Sequence, residues 1–137
     1  MPLMNINFVI ASENPNELSV FYGKINSSKV NKGFDSNHYF ISLSNKSKIH
    51  FYRPSKNQDF IKRGNANALC FQREPSYDPF KTIEIWKSEL LKLGASVKGI
   101  TKLAGFGSEQ WMIDPEGNQF LILVPYLSNG SAMESLM

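Results

Sequence analysis

The sequence is poor in the features that mark secreted, disulfide-linked or membrane-spanning proteins. Cys70 is the only cysteine among 137 residues, so no internal disulfide can form, and a single thiol fits a reducing compartment. The N-terminus has neither the basic region nor the apolar core of a secretory signal. No apolar run approaches the ~18–20 residues that a membrane span requires. These absences predict a cytoplasmic protein with no membrane partner.

Motifs that identify common enzyme classes are also missing. The chain has no Gly-x-Ser-x-Gly elbow, no Walker phosphate loop, no dinucleotide fingerprint and no zinc-type spacing of cysteine and histidine. The 15 Lys and Arg residues exceed the 12 Asp and Glu residues by only three, and they are dispersed. They predict a solvated surface and no nucleic-acid partner, with a groove for acidic ligands as the alternative.

The first half of the chain has the pattern of a strand, a helix and three further strands. Residues 4–11 predict the first strand. A helix over 14–26 should begin with Asn14 as its cap and Pro15 at its first position, with Glu17 completing a capping box. Its apolar stripe is Leu18, Phe21, Tyr22 and Ile25. Strands are predicted at 29–34, 38–44 and 48–53, which gives a first module over 4–54.

The second half repeats this order. After a polar connection with a possible helical turn at 59–61, a strand is predicted at 67–73 and a helix from Asp78-Pro79 to a C-cap at Gly94. Its buried stripe is Ile83, Trp86, Leu90 and Leu93. Strands at 96–101, 109–113 and 119–124 complete a second module over 66–125. We therefore predict a single α+β domain over 1–126 and a polar tail over 127–137.

Residues 114–118, Asp-Pro-Glu-Gly-Asn, predict a tight hairpin turn, because proline presets its first central φ and Gly117 accepts a left-handed conformation. At the end of a doubled module and together with Phe21-Tyr22, this hairpin resembles that of the glyoxalase/bleomycin-resistance/extradiol-dioxygenase superfamily, also called the vicinal oxygen chelate superfamily. The resemblance covers residues 4–125. It implies two βαβββ modules that pair into a cupped, half-barrel mixed sheet, with the helices outside.

Strand alternation indicates which side chains face the cup, independently of the resemblance. One set of positions is entirely large and apolar and should face the helices: Phe8, Ile10, Ile49, Phe51, Leu69, Phe71, Phe120 and Ile122. The opposite set is mixed and should line the cup: Asn7, Val9, His50, Tyr52, Ala68, Cys70, Leu121 and Leu123.

In the resembled superfamily, metal ligands sit on these strands and face inward. The matching positions in this sequence are Asn7, His50, Ala68 and Leu121. A divalent ion normally needs about three nitrogen or oxygen ligands from the protein, and this set does not supply them. We therefore expect no metal and no cofactor. The resemblance then implies a small-molecule binding protein of the bleomycin-sequestering type, acting as a homodimer.

The predicted pocket residues are Asn7, His50, Tyr52, Cys70, Trp111 and Leu121. His50 and Tyr52 would supply polar contacts and Trp111 a stacking surface, which suits a planar or apolar ligand. No residue is assigned a catalytic role.

Several of these assignments have alternatives. His50 could instead act as a general base, or be a packing residue whose ring nitrogens are satisfied locally. Cys70 could be a nucleophile beside His50, or a packing thiol. Trp111 and Tyr39 could cover a sheet edge or a dimer contact. His38 is expected to be solvated, and the Gly-Phe-Gly-Ser segment at 105–108 could act as a lid.

The leading functional prediction is binding, so whether the protein is an enzyme stays open. The alternative is a metal-dependent lyase, isomerase, thiol transferase or dioxygenase of the same superfamily. A third possibility is an interaction module that recruits a partner through an exposed sheet edge.

Overall fold

A computed structural model describes residues 5–54 and 67–127. Within these ranges the predicted order, strand, helix and three strands, occurs twice, which confirms an α+β fold built from two βαβββ modules. The elements are β1 (Phe8–Ala11), α1 (Pro15–Ile25), β2 (Val30–Lys32), β3 (His38–Ser42), β4 (Lys48–Tyr52), β5 (Leu69–Gln72), α2 (Pro79–Lys92), β6 (Ser96–Ala104), β7 (Gly107–Ile113) and β8 (Gln119–Pro125). The helical turn predicted at 59–61 and the tail from residue 128 onward lie outside the described residues.

The chain divides into two compact units, one containing α1 and β1–β4 and the other containing α2 and β5–β8. The strand order is β1-β4-β3-β2 in the first sheet and β5-β8-β7-β6 in the second. In each sheet the first strand pairs in parallel with the last, and the remaining pairs are antiparallel. The assignment to a single domain over 1–126 and the pairing of the two sheets stay predictions.

Helix α1 begins and packs largely as its sequence predicts. The side chain of Asn14 accepts a hydrogen bond from the Glu17 backbone N–H at 3.3 Å, and Pro15 is the first helical residue. The capping box is wrong in one detail, because Ser12 Oγ accepts the Asn14 backbone N–H at 3.0 Å, the role predicted for Glu17. Tyr22 is buried and stacks on Phe51, with ring centroids 5.6 Å apart, which fixes α1 on one face of the first sheet.

Helix α2 of the second unit begins in the same way, with a capping side chain followed by a proline. Asp78 caps it by accepting the Lys81 backbone N–H at 3.2 Å, and Gly94 follows its end with φ of 111°, a conformation that favours glycine. The hydrophobic core of the second unit comes from α2, the segment after it and β7–β8: Ile83, Trp86, Leu90, Ala95, Met112, Phe120, Ile122 and Val124. Neither helix in the described ranges has the length and apolar character needed to cross a membrane.

The observed strand bounds differ from the predicted ones in every strand, and the shifts at a single end are largest in β1 and β6. β1 begins at Phe8 rather than residue 4, and the preceding Asn7 contacts β4 through its side chain, whose Oδ1 accepts the Lys48 backbone N–H at 2.9 Å. β6 extends to Ala104 instead of residue 101, because an irregularity between Lys98 and Lys102 lets the strand resume its pairing with β7.

The lid predicted at 105–108 is wrong. Ala104 pairs with Gly107, so only Gly105 and Phe106 form the turn between β6 and β7, while Gly107 and Ser108 are buried strand residues. Gly107 has φ of 146°, and a Cβ at this position would lie 2.2 Å from the Val124 carbonyl oxygen. Close packing of β7 against β8 therefore explains why position 107 is a glycine.

Candidate ligand-binding site

Alternation along β4 separates the core of the first unit from its candidate site. Ile49 and Phe51 are fully buried on the α1 side, so His50 and Tyr52 lie on the opposite face of the sheet. We call this the helix-distal face of the first sheet. Register places Val9, His50, Phe40 and Asn31 in one row across this face, and Ala11, Tyr52 and His38 in the next.

The predicted division into core and lining positions holds best for the interior strands. Ile49 and Phe51 of β4, and Phe120 and Ile122 of β8, have no exposed surface. The four matching positions on β1 and β5 are half-buried or exposed, and Phe8 is 41% exposed, because these strands are sheet edges within their own units. The prediction that all eight build the two cores is therefore wrong for the edge strands.

His38 is not merely solvated, as the sequence suggested. Its Nε2 lies 2.8 Å from Nδ1 of His50, and its Nδ1 accepts the Phe34 backbone N–H at 2.8 Å. The Phe40 ring lies beside both imidazoles, and the Lys48 ammonium sits 5.0 Å from the Phe40 centroid. The structure therefore brings His38 and His50 into contact, whereas the sequence analysis treated His50 as a lone pocket residue and His38 as solvated.

The surroundings of His50 favour its neutral form. Partial burial is the main cause that lowers the pKa of His50 below the ordinary histidine value, and the neighbouring His38 and Lys48 lower it further by charge repulsion. His50 is therefore set up as a neutral hydrogen-bonding group near pH 7.

Asn7 and Tyr52 complete the predicted residues of the first unit. The carboxamide oxygen of Asn7 is already bonded to the Lys48 backbone N–H, and the residue is exposed. Tyr52 is half-buried and pairs with His38 across the sheet. Tyr39, in contrast, pairs with the buried Phe51 and so lies on the α1 side.

The three predicted residues of the second unit lie in one row. Cys70 pairs with Leu121, and Leu121 pairs with Trp111, which in turn pairs with Lys98 of β6. The neighbouring row contains Gln72, Leu123, Glu109 and Lys102. The fully buried Phe120 and Ile122 alternate with this set, so these rows form the helix-distal face of the second sheet.

Cys70 has the electrostatics of a thiol rather than a thiolate. Partial burial of the thiol raises the pKa of Cys70, and the carboxylate of Glu109 raises it further. A catalytic nucleophile needs the opposite shift, so the nucleophilic interpretation of Cys70 has no support in its surroundings. Its place as a lining residue stays a prediction.

A second polar cluster lies on the helix side of the second sheet. The Thr101 hydroxyl contacts Glu84, and it lies 2.6 Å from the side-chain oxygen of Gln110, which is buried. The Gln110 amide nitrogen donates to the Gly99 and Trp111 carbonyls at 3.1 and 2.8 Å. Hydrogen bonds from Lys87 and Thr101 lower the pKa of Glu84. This cluster satisfies polar groups around the β6 irregularity and presents no site.

The four positions matched to metal ligands do not suit a metal ion. Asn7 and His50 each have one donor atom already engaged, and the side chains of Ala68 and Leu121 have none. No group of three His, Cys, Asp or Glu side chains is brought together in the described part of the chain.

Sequence reasoning missed His38, Phe40 and Lys48 as neighbours of His50. The turn predicted at 45–47 would place His38 opposite Pro54, whereas the observed register places His38 opposite Tyr52 and diagonal to His50.

Two modules, each a four-stranded mixed sheet with one helix, define an α+β fold of the glyoxalase type. Solved structures match it over most of their length. A hypothetical protein from S. aureus is 12% identical with a TM-score of 0.70, covering 90% of this chain and 95% of that one. A glyoxalase/bleomycin resistance protein/dioxygenase family enzyme from Burkholderia phytofirmans is 15% identical with a TM-score of 0.66, covering 88% and 96%.

A genomically encoded fosfomycin resistance protein from Listeria monocytogenes is 14% identical with a TM-score of 0.69, and both chains are covered in full. At these identities the likeness establishes the fold, which confirms the resemblance at that level. No family model matches the sequence, and no curated protein matches it.

Proposed function

We propose that this protein binds a small, planar or apolar molecule without the help of a metal ion, and that the helix-distal face of the first sheet provides its polar anchor. Asn7, His50 and Tyr52 are the proposed contacts on this face. Cys70, Trp111 and Leu121, on the helix-distal face of the second sheet, stay predicted lining residues. A cytoplasmic location and a homodimeric state belong to the same proposal.

The observation that carries the proposal is the state of the donor atoms at the expected metal positions. His50 Nδ1 is bonded to His38, and Asn7 Oδ1 accepts the Lys48 backbone N–H. Ala68 and Leu121 have no donor atoms at all. His50 would offer a metal ion at most its Nε2 atom, and the site would still lack the oxygen or nitrogen ligands that complete it.

A comparison with one structural neighbour sharpens the contrast. A structure of the Listeria fosfomycin resistance protein contains Mn(II) and 1S,2S-dihydroxypropylphosphonic acid. The residues described in the present chain bring no comparable set of ligands together. A metal-dependent lyase, isomerase or thiol transferase therefore stays the second candidate, with no observation in its favour.

Aromatic side chains support the choice of ligand. Phe40 lies beside His50 on the first sheet, and Trp111 occupies an interior strand of the second. Both side chains are half-buried, so their rings retain accessible surface within their own units. Flat aromatic surfaces next to a few polar groups are typical of sites for planar ligands.

Elemental mass spectrometry tests the metal-free part of the proposal. Tag-free protein expressed in medium supplemented with manganese, iron, cobalt, nickel and zinc, and dialysed without chelator, should carry far less than one metal ion per chain. A stoichiometric metal that disappears in His50→Ala would overturn the proposal and support the metal-dependent enzyme.

A thermal-shift screen of planar aromatic compounds tests the binding part. A ligand present at a hundredfold excess over its dissociation constant stabilises the folded state by about 2.7 kcal/mol, which is readily detected. We expect the shift to fall in His50→Ala and in Phe40→Ala, because these rings lie side by side on the first sheet. Tyr77→Ala is the matched control, because Tyr77 is 82% exposed and lies in the segment before α2. Equal shifts in all three variants would contradict the proposed site.

A further inference from the structure

The hydrogen bonds of His38 fix which of its nitrogens carries a proton. Its Nδ1 accepts the Phe34 backbone N–H, and a backbone N–H can only donate. When the ring is neutral, the proton of His38 must therefore be on Nε2. The same nitrogen lies 2.8 Å from His50 Nδ1, so it donates that proton to His50.

The tautomer of His50 follows from the same argument. Its Nδ1 accepts from His38, so the proton of neutral His50 is on Nε2. Among residues 5–54 and 67–127, no hydrogen-bond partner is found for this Nε2–H. The Phe34 backbone N–H therefore fixes the proton of neutral His38 on Nε2, and this contact in turn leaves neutral His50 with its proton on Nε2.

We propose that Phe34, His38 and His50 form a directional hydrogen-bond chain that holds His50 Nε2–H as a fixed donor on the helix-distal face of the first sheet, and that the ligand bound there contributes an oxygen acceptor such as a carbonyl. This inference rests on the proposed binding function and adds the chemical class of the ligand. His38 is a positioning residue, because it acts through His50.

The chain also excludes two other roles for His50 while both rings are neutral. A metal ligand and a general base each need a lone pair, but the lone pair of His50 is on Nδ1 and is taken by His38. Only the proton on Nε2 is available to a bound molecule. The face therefore favours a ligand that accepts a hydrogen bond over one that donates.

Long-range proton–nitrogen correlation NMR of the free protein tests the chain without any ligand. The protein has two histidines, so each ring can be assigned from a single variant. At a pH at which both rings are neutral, we expect protonated Nε2 and unprotonated Nδ1 in both. A proton on Nδ1 of His50 would overturn the proposal.

Variants of His38 separate positioning from packing. In His38→Leu, which removes the donor, His50 should populate both tautomers. In His38→Gln, whose amide can donate to His50 Nδ1, the Nε2–H tautomer should return. A His50 tautomer that is unchanged in His38→Leu would show that the chain does not act through His38.

A pair of neutral probes tests the ligand class. Acetophenone and α-methylstyrene have nearly the same shape and differ in carrying a carbonyl oxygen or a methylene group. The ratio of their affinities, measured by NMR titration, should shift by about fivefold against acetophenone in His50→Leu, as expected for the loss of one neutral hydrogen bond. Both probes are uncharged, so Lys48 does not bias the comparison.

Each outcome has a distinct meaning. An affinity ratio that is the same in the natural protein and in His50→Leu would overturn the recognition of an acceptor. If neither probe perturbs resonances of β1, β3 or β4, the result counts against the proposed binding function, while the tautomers of the free protein still decide whether the chain exists.

Discussion

At the scale of single residues, His50 couples the candidate site to the stability of the fold. Its neutral form is favoured in the folded protein by partial burial, by His38 and by Lys48, in that order. An unfolded chain has none of these constraints, so its histidine titrates near the ordinary pKa of about 6.5. The contact with His38 that positions the Nε2–H donor of His50 therefore also disfavours protonation of His50.

The free energy of unfolding should consequently fall as the pH drops below about 6.5, because the unfolded state then binds a proton that folded His50 resists. The loss ends once the pH passes below the lowered pKa of the folded state. In His50→Asn, which keeps an acceptor for His38 without the titration, the decline between neutral and mildly acidic pH should be smaller. Urea unfolding at a series of pH values measures this.

Parallel stability profiles for the natural protein and His50→Asn would show that His50 does not carry the pH dependence.

At the scale of elements, the β6–β7 hairpin shows how one position can decide a strand pairing. Gly105 and Gly107 are two residues apart, but only Gly107 has a left-handed φ, and only there would a Cβ meet the neighbouring backbone. Nothing lies within 4 Å of a Cβ built on Gly105. The two glycines thus form a matched pair.

We expect Gly107→Ala to destabilise the protein by about 3 kcal/mol, through backbone strain and overlap with the Val124 carbonyl. Gly105→Ala should stay within about 0.5 kcal/mol of the natural protein. Chemical denaturation of both variants gives the comparison. Equal stabilities would mean that β7 can shift away from β8 at no cost.

Secondary structure was predictable wherever local chemistry dominates. Asn14-Pro15 and Asp78-Pro79 start the helices as expected, because a capping side chain and a preset φ act over a few residues. Strand ends were less predictable. The end of β6 at Ala104 depends on pairing with β7 rather than on alternation, since its residues are mostly exposed.

The candidate site was predictable only in part. Alternation placed His50 and Tyr52 on the face away from α1, and it placed Cys70 and Leu121 on a common face of the second sheet. The contact between His38 and His50 depends on a diagonal across two strands, and the tautomer depends on a backbone group at Phe34. These are products of register, which composition and periodicity do not contain.

At the scale of the whole molecule, each unit has a core of its own. Ile49 and Phe51 on β4 anchor the first, and Phe120 and Ile122 on β8 anchor the second, all fully buried. Both strands are interior in their sheets and pair on two sides. The most stable backbone should therefore occur twice along the chain.

Hydrogen exchange followed by mass spectrometry should show two protection maxima, one over β4 and one over β8, with faster exchange at the edge strands β2 and β6. Slow exchange over β2 or β6 that equals that of β4 and β8 would contradict this picture. It would point instead to an additional surface that covers those edges.

The parallel pairing of first and last strands also constrains how the molecule is made. Antiparallel hairpins such as β7–β8 join neighbours in the chain, but β5 can pair only after β8 has been synthesised, because Leu69 pairs with Phe120. At ribosomal rates of about 5–20 residues per second, the interval of about fifty residues lasts roughly 3–10 s. During that time Leu69–Gln72 has been synthesised without the strand to which it pairs in the folded second unit.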